Sequence, residues 1–254
     1  VEKHMVVKKK KRINKMNNLS GSEWLKKSFT IWSHLKKDEQ ERKLKHPALF
    51  PSALPKKLIN IYTRRKGSVI LDPFMGIGST LLASMEAGRN SIGFDLNRAY
   101  CKTAQERIDN FQKDLFNKNK VYLPKIVNDD SKNLLNHIRK ESVDLAITSP
   151  PYWDILNQKR TADYKKVRNY SNSKKDLGNI NDYNKFLDEL KVVFDGVYKS
   201  LKPNRRCISI VMDIRKKDKF FPLHEDQTRI MREVGFELEE YVIWNRAHEY
   251  NNMK

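Results

Sequence analysis

Thr148-Ser149-Pro150-Pro151-Tyr152-Trp153 carries the densest chemical signal in the chain. A largely apolar stretch, Val143 to Ile147, precedes it and reads as a buried strand, so the motif sits at a strand's carboxyl end. Two successive prolines stiffen the loop and remove two N–H donors, leaving carbonyls as acceptors. Ser149 Oγ and the Pro150 carbonyl could both accept from one amino group, and Tyr152 offers a flat face for stacking. The combination makes a site that reads a planar amine; the bland alternative is a rigid turn. Trp153 either walls the pocket or belongs to the core.

A second constellation is Leu71-Asp72-Pro73-Phe74-Met75-Gly76-Ile77-Gly78-Ser79-Thr80. A strand ends in an acid and runs into a glycine turn that opens a helix. Glycines let the backbone approach a ligand, and a helix N-terminus offers free N–H groups. An acid before the turn suits a ligand with a cationic amino group. No GxGxxG is present, so a dinucleotide pyrophosphate is not indicated. An empty tight turn is the alternative.

Two further acids end strands. Asp95 closes the next strand, 23 positions after Asp72, where a carboxylate can bind ribose hydroxyls or cap the following helix. Asp130, in Asp129-Asp130-Ser131, can accept from an adenine amino group or cap the helix through Leu134.

The elements that must position these residues alternate strand and helix. Strands are expected at Val69–Leu71, Ser91–Phe94, Lys125–Val127, Val143–Ile147 and Cys207–Met212, with helices at Thr80–Ala87, Tyr100–Phe111 and, capped by Asp182, from Tyr183 to Leu201. That order predicts an α/β fold with a doubly wound, mostly parallel sheet. Upstream, residues 20–45 read as one helix capped by Ser22, with Leu25, Phe29, Trp32 and Leu35 as its stripe. Pro47 and Pro51 break it, and a second helix follows from Leu54 to Tyr62. Thr228–Val234 reads as helix, ended by Gly235, and Phe236–Trp244 as an alternating strand.

The formal net charge of +20, from 51 Lys+Arg against 31 Asp+Glu, favours a polyanionic partner, nucleic acid first. Seven of those basic residues fall in the first fifteen, so residues 1–19 are expected to be a mobile basic arm and 20–254 one domain. The stretch 157–178 is polar and basic, with Tyr164 and Tyr170 among Lys159, Arg160, Lys165, Lys166 and Arg168. A loop of that length inside a domain is functional or disordered. Cys101 and Cys207 have no CxxC partner, so neither a disulfide framework nor a zinc site is expected, and no metal is assigned. With no long apolar run and no signal-peptide pattern, a cytoplasmic location without membrane contact is expected, nucleoid-associated if bacterial.

Together these motifs resemble the amino-methyltransferases that modify DNA at cytosine N4 or adenine N6, over roughly residues 20–246. The resemblance implies a class I, Rossmann-like S-adenosylmethionine-dependent fold and S-adenosylmethionine as cofactor. It implies cofactor contacts from Asp72, Pro73, Phe74, Gly76, Gly78 and Thr80, with Asp95 on the ribose and Asp130 at the adenine. His46-Pro47 to Pro51 is similar to the segment closing over the cofactor's methionine end. Ser149, Pro150, Pro151 and Tyr152 match the catalytic motif, in the serine form associated with cytosine N4. Adenine N6 is the alternative target; RNA, or glutamine in a protein, is a further acceptor. A DNA-binding subunit without catalysis is the reading from another class.

The implied partner is double-stranded DNA with the target base flipped out, together with a cognate restriction endonuclease or a recognition subunit. The cofactor motif precedes the catalytic one, a permuted order relative to many relatives. Recognition is therefore expected within 157–178. The fold implied ends in two antiparallel strands, of which the sequence supplies Phe236–Trp244.

Overall fold

A computed structural model of the chain describes residues 16–44, 49–113, 122–157, 173, 175–216 and 218–246. Its elements in chain order begin with α1 (Gly21–Lys27), β1 (Ile31–Trp32), α2 (Glu39–Lys43) and α3 (Ala53–Tyr62). The strand–helix alternation follows: β2 (Val69–Asp72), α4 (Ser79–Glu86), β3 (Asn90–Phe94), α5 (Arg98–Lys113), β4 (Pro124–Val127), a 3-10 turn at Ser131–Asn136, β5 (Val143–Thr148) and α6 (Tyr183–Ser200). The chain then forms β6 (Leu201–Ser209), β7 (Ile214–Lys216), β8 (Lys219–Phe221), α7 (Leu223–Val234) and β9 (Ile243–Trp244).

Five strands form the central sheet, all parallel, in the order β4-β3-β2-β5-β6. The doubly wound α/β expectation therefore holds. From β2 the chain builds outward through β3 and β4, then returns to lay β5 on the other side. The crevice at the carboxyl ends of β2 and β5 is thus the topological switch point, where open α/β sheets bind ligands.

Apolar residues fill both faces. Leu71, Phe94 and Ala146 pack with Phe186, Leu190, Phe194 and Val197 of α6, while Ile70, Leu145 and Ile147 pack with Leu58 and Ile59 of α3. On the α3 side of the sheet, the α4–α5 layer adds Leu81, Ala104 and Ile108. Helix α6 forms as expected and buries Phe186, Leu190, Phe194 and Val197, and Asp182 caps it by accepting from Lys185 N at 2.7 Å.

The N-terminal region differs from its reading. The single helix over 20–45 is two short helices flanking β1. Ser20, not Ser22, caps α1 in a capping box with Glu23, and Asp38 does the same for α2 with Glu41. The supposed stripe does not face one core, for Leu25 and Phe29 are 65% and 62% exposed while Trp32 is buried. Tertiary pairing overrides the periodicity: Thr30 and Trp32 carbonyls accept from Ile243 N and Asn245 N, and His34 turns the chain in the left-handed region at φ 67°. The end of the expected arm is docked, since Asn17 is fully buried and donates to the Ile61 carbonyl at 2.7 Å.

The C-terminal readings also need correction. Within 236–244 only Ile243–Trp244 is a strand, and it runs parallel to β1, outside the central sheet. Residues before it are held by side chains instead, with Glu239 receiving Arg206 at 2.5 Å and Glu240 receiving the Tyr62 hydroxyl. Helix α6 ends at Ser200, and Pro203 lies inside β6, which is tolerated because β6 is an edge strand. β6 stops at Ser209, partly rather than fully buried, and Met212 is exposed.

Candidate active site

The glycine turn after β2 is shaped by two close approaches. Gly78 caps α4 at φ 82°, and a Cβ there would stand 3.0 Å from Ala104 Cβ of α5. Gly93 of β3 lies under the turn: a Cβ on it would reach within 2.5 Å of Met75 Sδ and 2.7 Å of Leu81 Cδ1. The neighbouring strand thus leaves room for Met75 to be buried and for the turn to sit low on the sheet. Arg107 of α5 braces the turn from outside by donating to the Ile77 carbonyl at 2.6 Å.

An open cleft of about 440 Å3 lies at this edge, lined by Leu49, Phe50, Phe74, Met75, Gly76, Ile77, Ser79, Asp95, Ser149 and Pro151. The structure brings together parts of the glycine turn, the β3 acid and the 148–153 motif.

Asp95 faces this cleft with both oxygens already engaged: Oδ2 accepts from Gly76 N at 3.0 Å and Oδ1 from Asn97 N at 2.7 Å. Desolvation pushes its carboxyl up to about 7, against the pull of those two N–H donors. Asp72 is more deeply placed and does not line the cleft. Its Oδ1 accepts from Phe74 N at 3.1 Å and from Thr148 Oγ1 at 3.0 Å. Burial raises its carboxyl to about 6, offset by the hydrogen bonds from Phe74 and Thr148. Asp72, Gly78 and Thr80 are not among the cleft-lining residues, and the Pro73 carbonyl accepts from Ser131 Oγ.

Asp130 caps the 3-10 turn after β4, accepting from Lys132 N at 3.0 Å, and pairs with Lys132 at 3.7 Å. It is not among the cleft-lining residues. His46 and Pro47 lie outside the described residues, but Leu49 and Phe50 just after them line the cleft. Lys159, Arg160, Lys165, Lys166 and Arg168 also fall outside the described residues.

In the 148–153 motif, Ser149 and Pro151 face the cleft, Pro150 is buried, and Ser149 Oγ lies 2.9 Å from the Tyr152 hydroxyl. Trp153 belongs to the core: it is 5% exposed and packs on Tyr183 and Phe221 at ring separations of 5.0 and 4.9 Å. Its backbone is left-handed, φ 50°, a conformation a bulky residue keeps only when its surroundings hold it. Asp154 is buried beside it and paired with Lys216 at 2.6 Å, and the same ammonium stands 4.0 Å from the Trp153 ring centroid.

Sequence reasoning missed Thr148, Ser79, Gly93, Asp154 and Lys216 as parts of this assembly. Ser79 had a signal, since it follows Gly78 directly and opens α4. Lys216 had none, because its hairpin was not anticipated.

S-adenosylmethionine is the cofactor that family and fold imply, and the residues present fit it. Asp95 offers a carboxylate for hydroxyl donors. Ser79 Oγ is buried, lines the cleft and has no partner among the described residues. Phe74, Leu49 and Phe50 supply apolar walls.

The fold defines the class. Among solved structures, TrmN from Thermus thermophilus superposes with TM-score 0.50 at 17% identity, covering 74% of this chain and 43% of that one. The match concerns the α/β methyltransferase fold alone. The family follows from sequence: the N6/N4 methyltransferase family, described as DNA methylase, matches residues 1–106 and 143–254, and the chain belongs to it. The type II methyltransferase M.MjaII of Methanocaldococcus jannaschii is 30% identical over 194 residues, 72% of this chain and 32% of that protein. M.BglI of Bacillus subtilis is 36% identical over 99 residues, 37% of this chain and 26% of that protein. The orphan methyltransferase M.BamHII of Bacillus amyloliquefaciens is 33% identical over 87 residues, 33% and 32% of the two chains. The chain thus spans a quarter to a third of the length of these relatives.

Proposed function

We propose that this chain transfers a methyl group from S-adenosylmethionine to the exocyclic amino group of a DNA base, cytosine N4. The observation that carries the reading is the sharing of one cleft by Ser149 and Pro151 with Asp95 and the glycine turn. A stacked base on the motif side then stands next to whatever the turn and Asp95 hold. The kinship with type II methyltransferases favours a role as the modification enzyme of a restriction–modification system.

The bound cofactor supplies an activated methyl on a sulfonium. Everything else falls to the chain's own groups. Asp95 accepts from ribose hydroxyls, and Phe74, Leu49 and Phe50 exclude water. A base inside a duplex is out of reach, so the target is flipped. Tyr152 stacks it, while Ser149 Oγ and the Pro150 carbonyl accept from its amino group and turn the nitrogen lone pair toward the methyl. A Ser149 hydroxyl that gives its proton to Tyr152 Oη presents its lone pairs to that amine. These acceptors stabilise the positive charge developing on nitrogen, and alignment supplies much of the remaining rate. Neither a metal nor a covalent cysteine enters the scheme.

Labelled S-adenosylmethionine with unmodified plasmid DNA, followed by nucleoside mass spectrometry, tests this, with Ser149→Ala alongside. N4-methylcytosine from the parent but not the variant is expected. N6-methyladenine overturns the base assignment, and no methylated nucleoside, despite cofactor binding, overturns the choice of DNA.

A further inference from the structure

The β7–β8 hairpin is bolted to the catalytic loop by one of its two faces. Its antiparallel register pairs Ile214 with Phe221, Arg215 with Phe220 and Lys216 with Lys219. Side chains alternate across a ribbon, so Ile214, Lys216 and Phe221 share a face and Arg215 and Phe220 share the other. The first face is inward: Ile214 is buried, Phe221 packs on Trp153 and Tyr183, and Lys216 pairs with Asp154. On the other face Arg215 is exposed and Phe220, 51% exposed, is stacked under the Arg215 guanidinium at 5.2 Å. Packing does not account for this pair.

Its place in the fold is specific. β6 ends at Ser209 at the carboxyl edge of the sheet, where Ile210 N donates to the Thr148 carbonyl at 2.8 Å. The hairpin therefore rises next to the motif, and a rigid chain of contacts runs from Arg215–Phe220 through the ribbon to Trp153, one residue after Tyr152.

We infer that the outward Arg215–Phe220 pair is a DNA contact, with the guanidinium on a backbone phosphate and the ring against a base next to the flipped one. This rests on the DNA reading above and deepens it. Arg and an exposed aromatic are the two groups that nucleic acid binding uses without sequence preference, for charge neutralisation and for stacking. A two-stranded ribbon is narrow enough to enter a groove, and apolar side chains inserted between base steps are a known way to hold a distorted duplex. Because the same ribbon holds Trp153 and Asp154, its engagement and the placement of the catalytic loop are mechanically coupled.

The test uses the full chain, a fluorescein-labelled mixed-sequence duplex, and anisotropy over a salt series. Arg215→Ala is expected to weaken binding about tenfold and to lower the slope of log affinity against log salt by about 1. Phe220→Ala is expected to weaken binding roughly fivefold or more while leaving that slope alone. Arg215→Lys keeps the slope. Cofactor affinity, measured by calorimetry with S-adenosylmethionine, stays at the parent value in all three, which separates a lost contact from a lost fold. Variants that match the parent in affinity and slope, while the parent binds and methylates DNA, overturn this inference and leave the functional reading standing. A parent that binds cofactor but no DNA overturns both, and stronger binding to an RNA duplex, lost in the same variants, overturns the assignment to DNA.

Discussion

Thr148 Oγ1 donates to Asp72 Oδ1 over 3.0 Å, joining two residues 76 positions apart on adjacent parallel strands. One ends the strand that leads into the glycine turn, and the other ends the strand that leads into Ser149–Tyr152. The glycine turn and the 148–153 motif are therefore fixed to each other by a buried hydrogen bond to a single carboxyl, which under the proposed function joins the cofactor side of the cleft to the base side. In-line transfer demands such registration, since small misplacements of reacting groups are costly.

Replacing Thr148 with valine keeps the volume and removes the donor. The Asp72 carboxyl is then buried with one hydrogen bond fewer, and the chain is expected to lose about 1–2 kcal/mol of stability. The loss is pH-dependent. Asp72 sits at about 6, above its unfolded value, so the native state holds a proton that the unfolded state releases, and ionising it in place already disfavours the fold. Thr148→Val raises that pKa further, so urea unfolding should show a larger deficit well above pH 6 than below it. An equal deficit at both ends would show that the bond does not serve the charged form.

Gly93 offers a second check on the turn. Gly93→Ala drives a methyl group into Met75 and Leu81, both buried, and is expected to cost about 1–3 kcal/mol. Because Met75 and the turn move together, cofactor affinity should fall along with thermal stability. A variant with lower stability and parental affinity would separate the turn's position from β3.

The parts of the site written in short local patterns were legible in the sequence. An acid, a glycine turn and a helix start are contiguous in 71–80, and the motif 148–153 follows a strand whose largely apolar make-up marks it as buried. The doubly wound sheet followed from the repeated alternation. What escaped depends on distant pairing. Residues 20–45 have helical spacing, yet β1 forms because Thr30 and Trp32 carbonyls find donors in residues 243–245. Asp130 had two readings, and the capping one is what the geometry displays. The β7–β8 hairpin lacks an Asn-Gly or Gly-Gly turn, the local signal for a tight hairpin, so nothing nearby announced it. Asp72, read as a ligand contact, is engaged by the motif it helps to anchor.

The Lys216–Asp154 pair should matter to both stability and rate. Lys216→Met retains the apolar stem under Trp153 but strips a buried carboxylate of its ammonium, which typically costs about 3 kcal/mol or more. The strained Trp153 backbone is then less well held, and kcat for DNA methylation should fall more than KM for S-adenosylmethionine changes. Lys216→Arg, which restores the charge, should recover most of the stability. Equal losses in Lys216→Met and Lys216→Arg would point to steric fit and not to the ion pair.

Asp95 gives the clearest pH signature. Its carboxyl is held at about 7 while an unfolded aspartate titrates near about 4, so between those values the native state binds more protons than the unfolded one. Its contribution to stability therefore declines as pH rises from about 4 to about 7 and is constant beyond. Asp95→Asn cannot accept from both Gly76 N and Asn97 N, so it should be less stable than the parent in acid, with the gap narrowing as pH rises from about 4 to about 7 and steady above that. Cofactor binding runs the opposite way. Ribose hydroxyls prefer a carboxylate to a neutral acid as acceptor, so S-adenosylmethionine affinity should strengthen as pH rises through about 7 in the parent and stay flat in Asp95→Asn. Calorimetric titrations on either side of neutrality decide it. A parent whose affinity does not change across that range has a ribose held by something other than Asp95, and the two backbone N–H bonds would then be the whole of that residue's work.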